Sequence, residues 1–159
     1  MREKSVITEE LRNLVGVESE PRSFEVEKGA IRKFAQAVDD PNPLWWDEEH
    51  ARKSRYGSII APPTFLANPL EMAGSHQKKS MPRFMSAKCS LKKLQNAGIE
   101  VECFKPTMPG DVITVRSKLV DLYEKQGRSG RLLFMITEMT YTNQHGELVC
   151  KAKRNFVRS

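Results

Sequence analysis

The sequence predicts an α+β domain, with helices in its first half and antiparallel strands in its second. Three observations carry this reading. Ile31, Phe34, Ala35 and Val38 fall at i, i+3, i+4 and i+7, the spacing of one helix face. Ile113, Val115, Ser117 and Leu119 alternate with Thr114, Arg116 and Lys118, the spacing of a half-buried strand. Turn signals at Met108-Pro109-Gly110-Asp111, Gly127 to Gly130 and Asn143-Gln144-His145-Gly146 divide the second half into strand-length runs.

Taken in order, residues 1–22 read as a peripheral lead-in with one short helix around Glu9 to Leu14, and residues 23–159 as a single domain. Ser23 to Val26 is a short extended entry. The amphipathic helix runs from about Lys28 to Val38 and stops where Pro41 and Pro43 forbid continuation. Asp47-Glu48-Glu49 open a second short helix that Arg52, Lys53 and Arg55 close, in agreement with the helix dipole, and Gly57 suits its C-terminal cap. Pro63 to Ala73 is predicted helical, with Pro69 kinking or shortening it, and Gly74 to Lys88 is polar and predicted to be a loop. Strands are expected at Glu100 to Phe104, Ile113 to Leu119, Leu132 to Thr142 and Leu148 to Val157. The third of these is apolar on both faces and should be central and doubly buried.

The bulk properties exclude more than they assert. With 159 residues and 39% hydrophobic content, the chain suffices for one domain with a real core. No apolar run reaches the roughly 20 residues that cross a bilayer, and charged Met1-Arg2-Glu3-Lys4 leads into no signal segment, so the expected compartment is the cytoplasm. Cys89, Cys103 and Cys150 are too few and too scattered for a disulfide framework or a zinc site, so no metal is expected. The formal charge of +6 comes from scattered basic residues, with doublets only at Lys78-Lys79 and Lys92-Lys93. No nucleic-acid module is legible, and solvated surface charge is the default reading.

The chemistry-bearing stretch is Asp40-Pro41-Asn42-Pro43-Leu44-Trp45-Trp46-Asp47, followed by Ile60-Ala61-Pro62-Pro63-Thr64-Phe65. It resembles the hydratase motif of MaoC-like, (R)-specific enoyl-thioester hydratases, roughly D-x-N-P-x-H-x-D with a later I-A-x-G. The likeness extends through Phe104-Lys105-Pro106 and Pro109-Gly110-Asp111-Val112 and is closest to the FAS1-like dehydratase branch. It implies a single hot-dog domain, a curved antiparallel sheet wrapped around a central helix. It holds at Asp40, Asn42, Pro43, Asp47, Ile60 and Ala61. Trp45 stands where the family has its catalytic histidine, and Pro63 where it has a glycine.

Enoyl-thioester hydration needs a base for water, a proton for the α-carbon, and donors for the thioester carbonyl. The resemblance assigns the water to an aspartate and a histidine five residues apart. It assigns the carbonyl to backbone N–H groups that include that of the glycine. Asp40 matches the aspartate; it either orients water or only shapes the turn before Pro41. An indole has no basic nitrogen, so Trp45 lines an acyl site or packs with Trp46. Proline has no N–H, so Pro63 supplies no oxyanion donor unless Thr64 replaces it. Asn42 and Asp47 read as a loop brace and a helix cap. His50 is expected to face solvent, and His76 and His145 fall in predicted loops; His76 is the least improbable stand-in base.

The resemblance therefore implies a subunit of an (R)-specific enoyl-CoA or enoyl-acyl-carrier-protein hydratase or 3-hydroxyacyl dehydratase. In this reading the chain is the acyl-binding half, paired with a catalytic hot-dog subunit. Two alternatives stay open: an autonomous homodimeric hydratase using Asp40, and a non-catalytic acyl-CoA-binding protein. Asn42, Trp45, Ile60, Ala61, Pro63 and Thr64 are the candidate substrate contacts. No cofactor is implied beyond the coenzyme A or acyl carrier protein that carries the thioester, with Lys78, Lys79, Lys92 and Lys93 as candidate phosphate contacts.

Overall fold

Alternation in the second half of the chain builds the scaffold on which the rest is placed. A computed structural model of the chain describes residues 5–67, 82–128 and 130–159. Its elements are α1 (Glu9–Asn13), β1 (Arg22–Glu25), α2 (Lys28–Ala37), α3 (Glu48–Lys53), α4 (Arg83–Ser86), β2 (Leu94–Cys103), β3 (Val112–Gly127), β4 (Gly130–Thr142) and β5 (Leu148–Arg158). The strands form one antiparallel sheet in the order β1-β3-β4-β5-β2.

Ile113, Val115, Ser117 and Leu119 of β3, Leu133, Met135, Thr137, Met139 and Tyr141 of β4, and Cys150, Ala152, Arg154, Phe156 and Arg158 of β5 are all buried. They line one face, because side chains alternate across a strand. The apolar members form two clusters. One gathers Val26, Ile31, Phe34, Trp45, Ile59 to Ala61 and Phe65 over Ile113, Val115 and Tyr141. The other gathers Leu11, Phe84 and Ala87 over Leu119, Leu133, Met135 and Phe156. Ser117, Thr137, Arg154 and Arg158 are the polar residues buried on the same face.

The segment before β1 packs onto this sheet. Leu11 is fully buried, Gly16 N–H donates to the Leu119 carbonyl at 2.8 Å, and Ser19 N–H donates to the Ser117 carbonyl at 2.7 Å. Its far end is held by Glu124, which accepts from the Ser5 hydroxyl, from Val6 N–H at 2.8 Å and from Ile7 N–H at 3.1 Å, with Arg131 at 3.3 Å.

Several expectations are corrected. β2 and β3 are longer than the alternation shows. In β3 the register shifts between Leu119 and Asp121, so that Leu122 rather than an odd-numbered residue turns toward the second cluster. In β2 the shift falls between Asn96 and Gly98, and polar Gln95, Asn96, Glu100 and Glu102 leave no apolar period to read. β4 is central as expected, but it is not doubly buried: Leu132, Phe134, Ile136 and Thr140 are half-buried and Glu138 is exposed. Gly57 does not cap α3, which ends at Lys53 with Ser54 as its cap; Gly57 sits in the following turn at φ 68°. Residues 63–67 form turns rather than the first helical turn expected from Pro63, and the remainder of that expected helix lies outside the described residues. Within the predicted loop from Gly74 to Lys88, residues 83–86 form α4, and most of the rest lies outside the described residues.

The Ser5 hydroxyl first, then the Ile7 and Val6 amides and the Arg131 charge, hold the Glu124 carboxyl below its ordinary value of 4.5. A depressed carboxylate stabilises the fold above its unfolded pKa, and the contribution is lost as pH falls through the folded one. Glu124→Gln should cost about 1–2 kcal/mol at neutral pH. That loss should shrink as pH falls through the ordinary carboxylate range and below it. Chemical denaturation at several pH values checks this; a penalty that does not change with pH would remove Glu124 as the anchor.

Candidate functional site

The loop that carries the motif is set by how α2 ends. Asp39 adopts φ 52°, the left-handed conformation that terminates many helices and that aspartate tolerates better than most residues. Asp39 N–H donates to the Gln36 carbonyl at 3.2 Å and Asp40 N–H to the Ala35 carbonyl at 2.9 Å, the paired bonds of a Schellman end. Asp40 is thereby placed one residue beyond the left-handed position, by backbone geometry alone. Pro41 and Pro43 carry the chain away from the helix.

Short polar bonds then fold the loop on itself. Asp40 Oδ1 accepts from Asn42 N–H at 3.1 Å, and Asn42 Oδ1 accepts from Leu44 N–H at 3.0 Å, capping a 3-10 turn over Pro43–Trp45. Trp46 Nε1 donates to the Asp40 carbonyl at 3.0 Å. Asp47 caps α3 by accepting from Glu49 N–H at 2.9 Å and His50 N–H at 3.0 Å. The His50 amide, ahead of that of Glu49, holds the Asp47 carboxyl below its ordinary range. Glu48 ties α3 back to α2 through Lys28 at 3.0 Å and Arg32 at 3.2 Å, and Arg32 also donates to the Trp46 carbonyl at 3.2 Å.

The second half of the motif packs on the first. Ile60 N–H donates to the Leu44 carbonyl at 3.3 Å, and Ala61 N–H to the Thr107 carbonyl at 2.8 Å. Thr107 is buried, and its turn is itself held where Val26 N–H donates to the Asp111 carbonyl and Gly110 N–H to the Val26 carbonyl, each at 2.8 Å. Trp45, Ile60 and Ala61 therefore share one apolar cluster, with Leu44 and Trp46 at its margin. Pro63 and Thr64 are exposed beside it, and Thr64 N–H has no acceptor among the described residues.

The structure thus brings Trp45, Ile60 and Ala61 into one packed cluster, with half-buried Asp40 and Asn42 in the adjoining loop. One oxygen of Asp40 braces the Asn42 amide, and the other has no hydrogen-bond partner among the described residues. The Trp45 indole is 94% buried, yet its N–H has no partner either. Among the described residues no imidazole stands in: His50 and His145 are exposed on α3 and on the Asn143–Gly146 turn, and His76 lies outside the described residues. Among the described residues no group of three or more His, Cys, Asp or Glu is arranged to hold a metal ion, and no helix is long and apolar enough to cross a membrane. Lys92 and Lys93 are exposed just before β2, and Lys78 and Lys79 lie outside the described residues.

Sequence reasoning missed two contributors. Asp39 sets the position of Asp40, a role readable only from the helix end it creates. Cys103 donates its thiol to the Pro63 carbonyl at 3.2 Å across a gap of 40 residues, which no local pattern encodes. A cavity of about 270 Å³ between the lead-in and α4, lined by Leu14, Val17, Arg22, Arg83, Phe84 and Ser117, contains no motif residue.

Comparison with known proteins agrees with this geometry. Residues 13–152 match the family model described as FAS1-like, dehydratase domain region. A UPF0336 protein of Thermobifida fusca is 34% identical over 107 residues, covering 67% of this chain and 68% of that one. A probable enoyl-CoA hydratase alpha subunit of Thermomonospora curvata is 27% identical over 140 residues, covering 80% of this chain and 43% of that longer one. The crystal structure of a C-terminally truncated HadBC (3R-hydroxyacyl-ACP dehydratase) complex of Mycobacterium tuberculosis superposes with a TM-score of 0.70 at 23% identity, covering 91% of this chain and 96% of that chain. The fold is the hot dog that the motif implied.

Because the left-handed Asp39 directs the loop, its backbone preference should govern stability without touching chemistry. Asp39→Gly should melt at or slightly above the wild-type temperature. Asp39→Val should lose about 1–2 kcal/mol, since a β-branched residue resists positive φ. Thermal melting of the two variants checks the pair, and equal loss in both would deny Asp39 this role.

Proposed function

The chain belongs to the FAS1-like dehydratase family, and from that premise we propose that it is the acyl-binding half of a heteromeric (R)-specific enoyl-thioester hydratase or dehydratase, working beside a hot-dog subunit that supplies the acid–base pair. The supporting observation is Trp45: buried, non-basic, and set in the slot where the family carries its histidine. Proton transfer to and from water needs a group that can accept a proton near Asp40, and the described residues bring no imidazole there. Pro63 offers no N–H in the oxyanion slot, and loss of one such donor typically costs on the order of 100- to 1,000-fold in rate.

The residues that remain suit binding. Ile60, Ala61 and Trp45, each less than a tenth exposed, form the apolar backing of the motif segment, and Asn42 keeps the adjoining loop in place. Exposed Thr64, whose amide has no acceptor among the described residues, is the donor this reading assigns to a thioester carbonyl. The carrier is coenzyme A or an acyl carrier protein. A relative named as an alpha subunit and a structural neighbour solved as a two-component complex both accord with a partnered role.

The test is hydration of crotonyl-CoA and of a longer enoyl-CoA. The purified chain alone should show no turnover above background. Co-expression with a hot-dog chain that retains the Asp/His pair should give an active complex. In that complex Asp40→Asn should leave kcat within about threefold, because the acid–base groups sit on the partner. A loss of about 100-fold or more, the ordinary worth of a general base, would transfer the chemistry to Asp40 and replace this reading with an autonomous hydratase.

A further inference from the structure

We propose that Cys103 and Cys150 form a reversible cross-strand thiol–disulfide pair beside the candidate site. The two are direct partners in the ladder between edge strand β2 and β5. Opposed residues of an antiparallel pair project to the same face, so the thiols share one side of the sheet. Phe104 N–H donates to the Val149 carbonyl at 2.9 Å, which marks the neighbouring pair as hydrogen-bonded. Cys103 and Cys150 are then a close, non-hydrogen-bonded pair, with Cα atoms about 4.5 Å apart by ladder geometry. That spacing falls at the short end of what a disulfide spans.

The surroundings of the two thiols differ in the way an attacking and a resolving cysteine differ. Cys103 is exposed on the outermost strand and reaches a peroxide from solvent. Cys150 is 1% exposed in the core, where it meets an oxidised neighbour but not the oxidant. Cys89 packs in the other cluster, with its thiol 3.8 Å from the Val6 carbonyl.

The steps balance with a peroxide as oxidant. The Cys103 thiolate attacks one peroxide oxygen, the O–O bond breaks, and a sulfenic acid and one water result. The Cys150 thiolate then displaces that hydroxyl as a second water, and the S–S bond forms. Two thiol protons and two electrons have gone to the peroxide. A dithiol reductant reverses the change. In the reduced form the Cys103 thiol donates to the Pro63 carbonyl; in the disulfide it has no proton to give. The redox state of the pair thus reaches the segment that holds Pro63 and Thr64. Formation of the bond itself rests on the ladder and not on the acyl-binding reading.

The experiment is oxidation of the reduced full-length chain with a stoichiometric amount of peroxide, alkylation of remaining thiols, and peptide mapping by mass spectrometry. The expected product is a monomer lighter by two hydrogens, with Cys103 linked to Cys150, Cys89 alkylated, and full reversal by dithiothreitol. Cys103→Ser, a change at an exposed edge position, should abolish that species completely. A chain that keeps all three thiols, a disulfide that includes Cys89, or Cys103 linked only between chains would each overturn the proposal. None of these readouts depends on hydratase activity.

Discussion

Two buried guanidinium groups govern where the rest of the chain can lie. Arg154 and Arg158 point from β5 into the packed face, each less than a tenth exposed. A buried cation without acceptors is costly, so the structure has to bring oxygen to it. Arg158 donates to the carbonyls of Met85 at 2.5 Å, Ala87 at 3.2 Å and Phe84 at 3.4 Å, at the end of α4. Arg154 donates to the carbonyl of Ala67. The two residues stand four apart on one strand, about 13 Å along it. They peg the chain to the sheet on both sides of residues 68–81. The first of these pegs ties down the far end of the turn from Thr64 to Ala67.

The motif region is held in a different manner, mostly by the main chain. The Schellman end of α2 places Asp40, the Leu44 carbonyl receives Ile60, and the Thr107 carbonyl receives Ala61. Side chains contribute short local braces from Asp40, Asn42 and Asp47. None of these bonds requires an imidazole at position 45 or a glycine at position 63. The course of the two loops is therefore separable from the identity of the side chains at positions 45 and 63.

The same separation explains what the sequence made readable. The period of α2, the alternation of β3 and the prolines at 41 and 43 are local, and each appears in the structure where it was expected. Asn42 and Asp47 were legible as braces because a short polar side chain acts within three residues of itself. The lengths of β2 and β3 were not, because a register shift in each disturbs the alternation that reveals a strand. The contact of Cys103 with Pro63 and the destinations of the two arginines depend on residues brought together by the sheet, so no window of sequence contains them, whereas the left-handed turn at Asp39 is local but shows only in the helix end it makes. The packing of the lead-in through Leu11 is of this kind as well: five residues of helix carry too little period to announce a buried face.

Trp45 has one more consequence. The indole is a structural member of the first apolar cluster, packed among residues that also hold Ile60 and Ala61. An imidazole is much smaller, and a void left in such a core is penalised in proportion to its volume. Placing a histidine at position 45 would therefore empty part of the cluster while supplying an imidazole, and its neighbours would have to grow inward together to close the gap. The indole behaves as a ratchet: once its volume is built into the packing, seating an imidazole there is a many-residue problem rather than a single exchange.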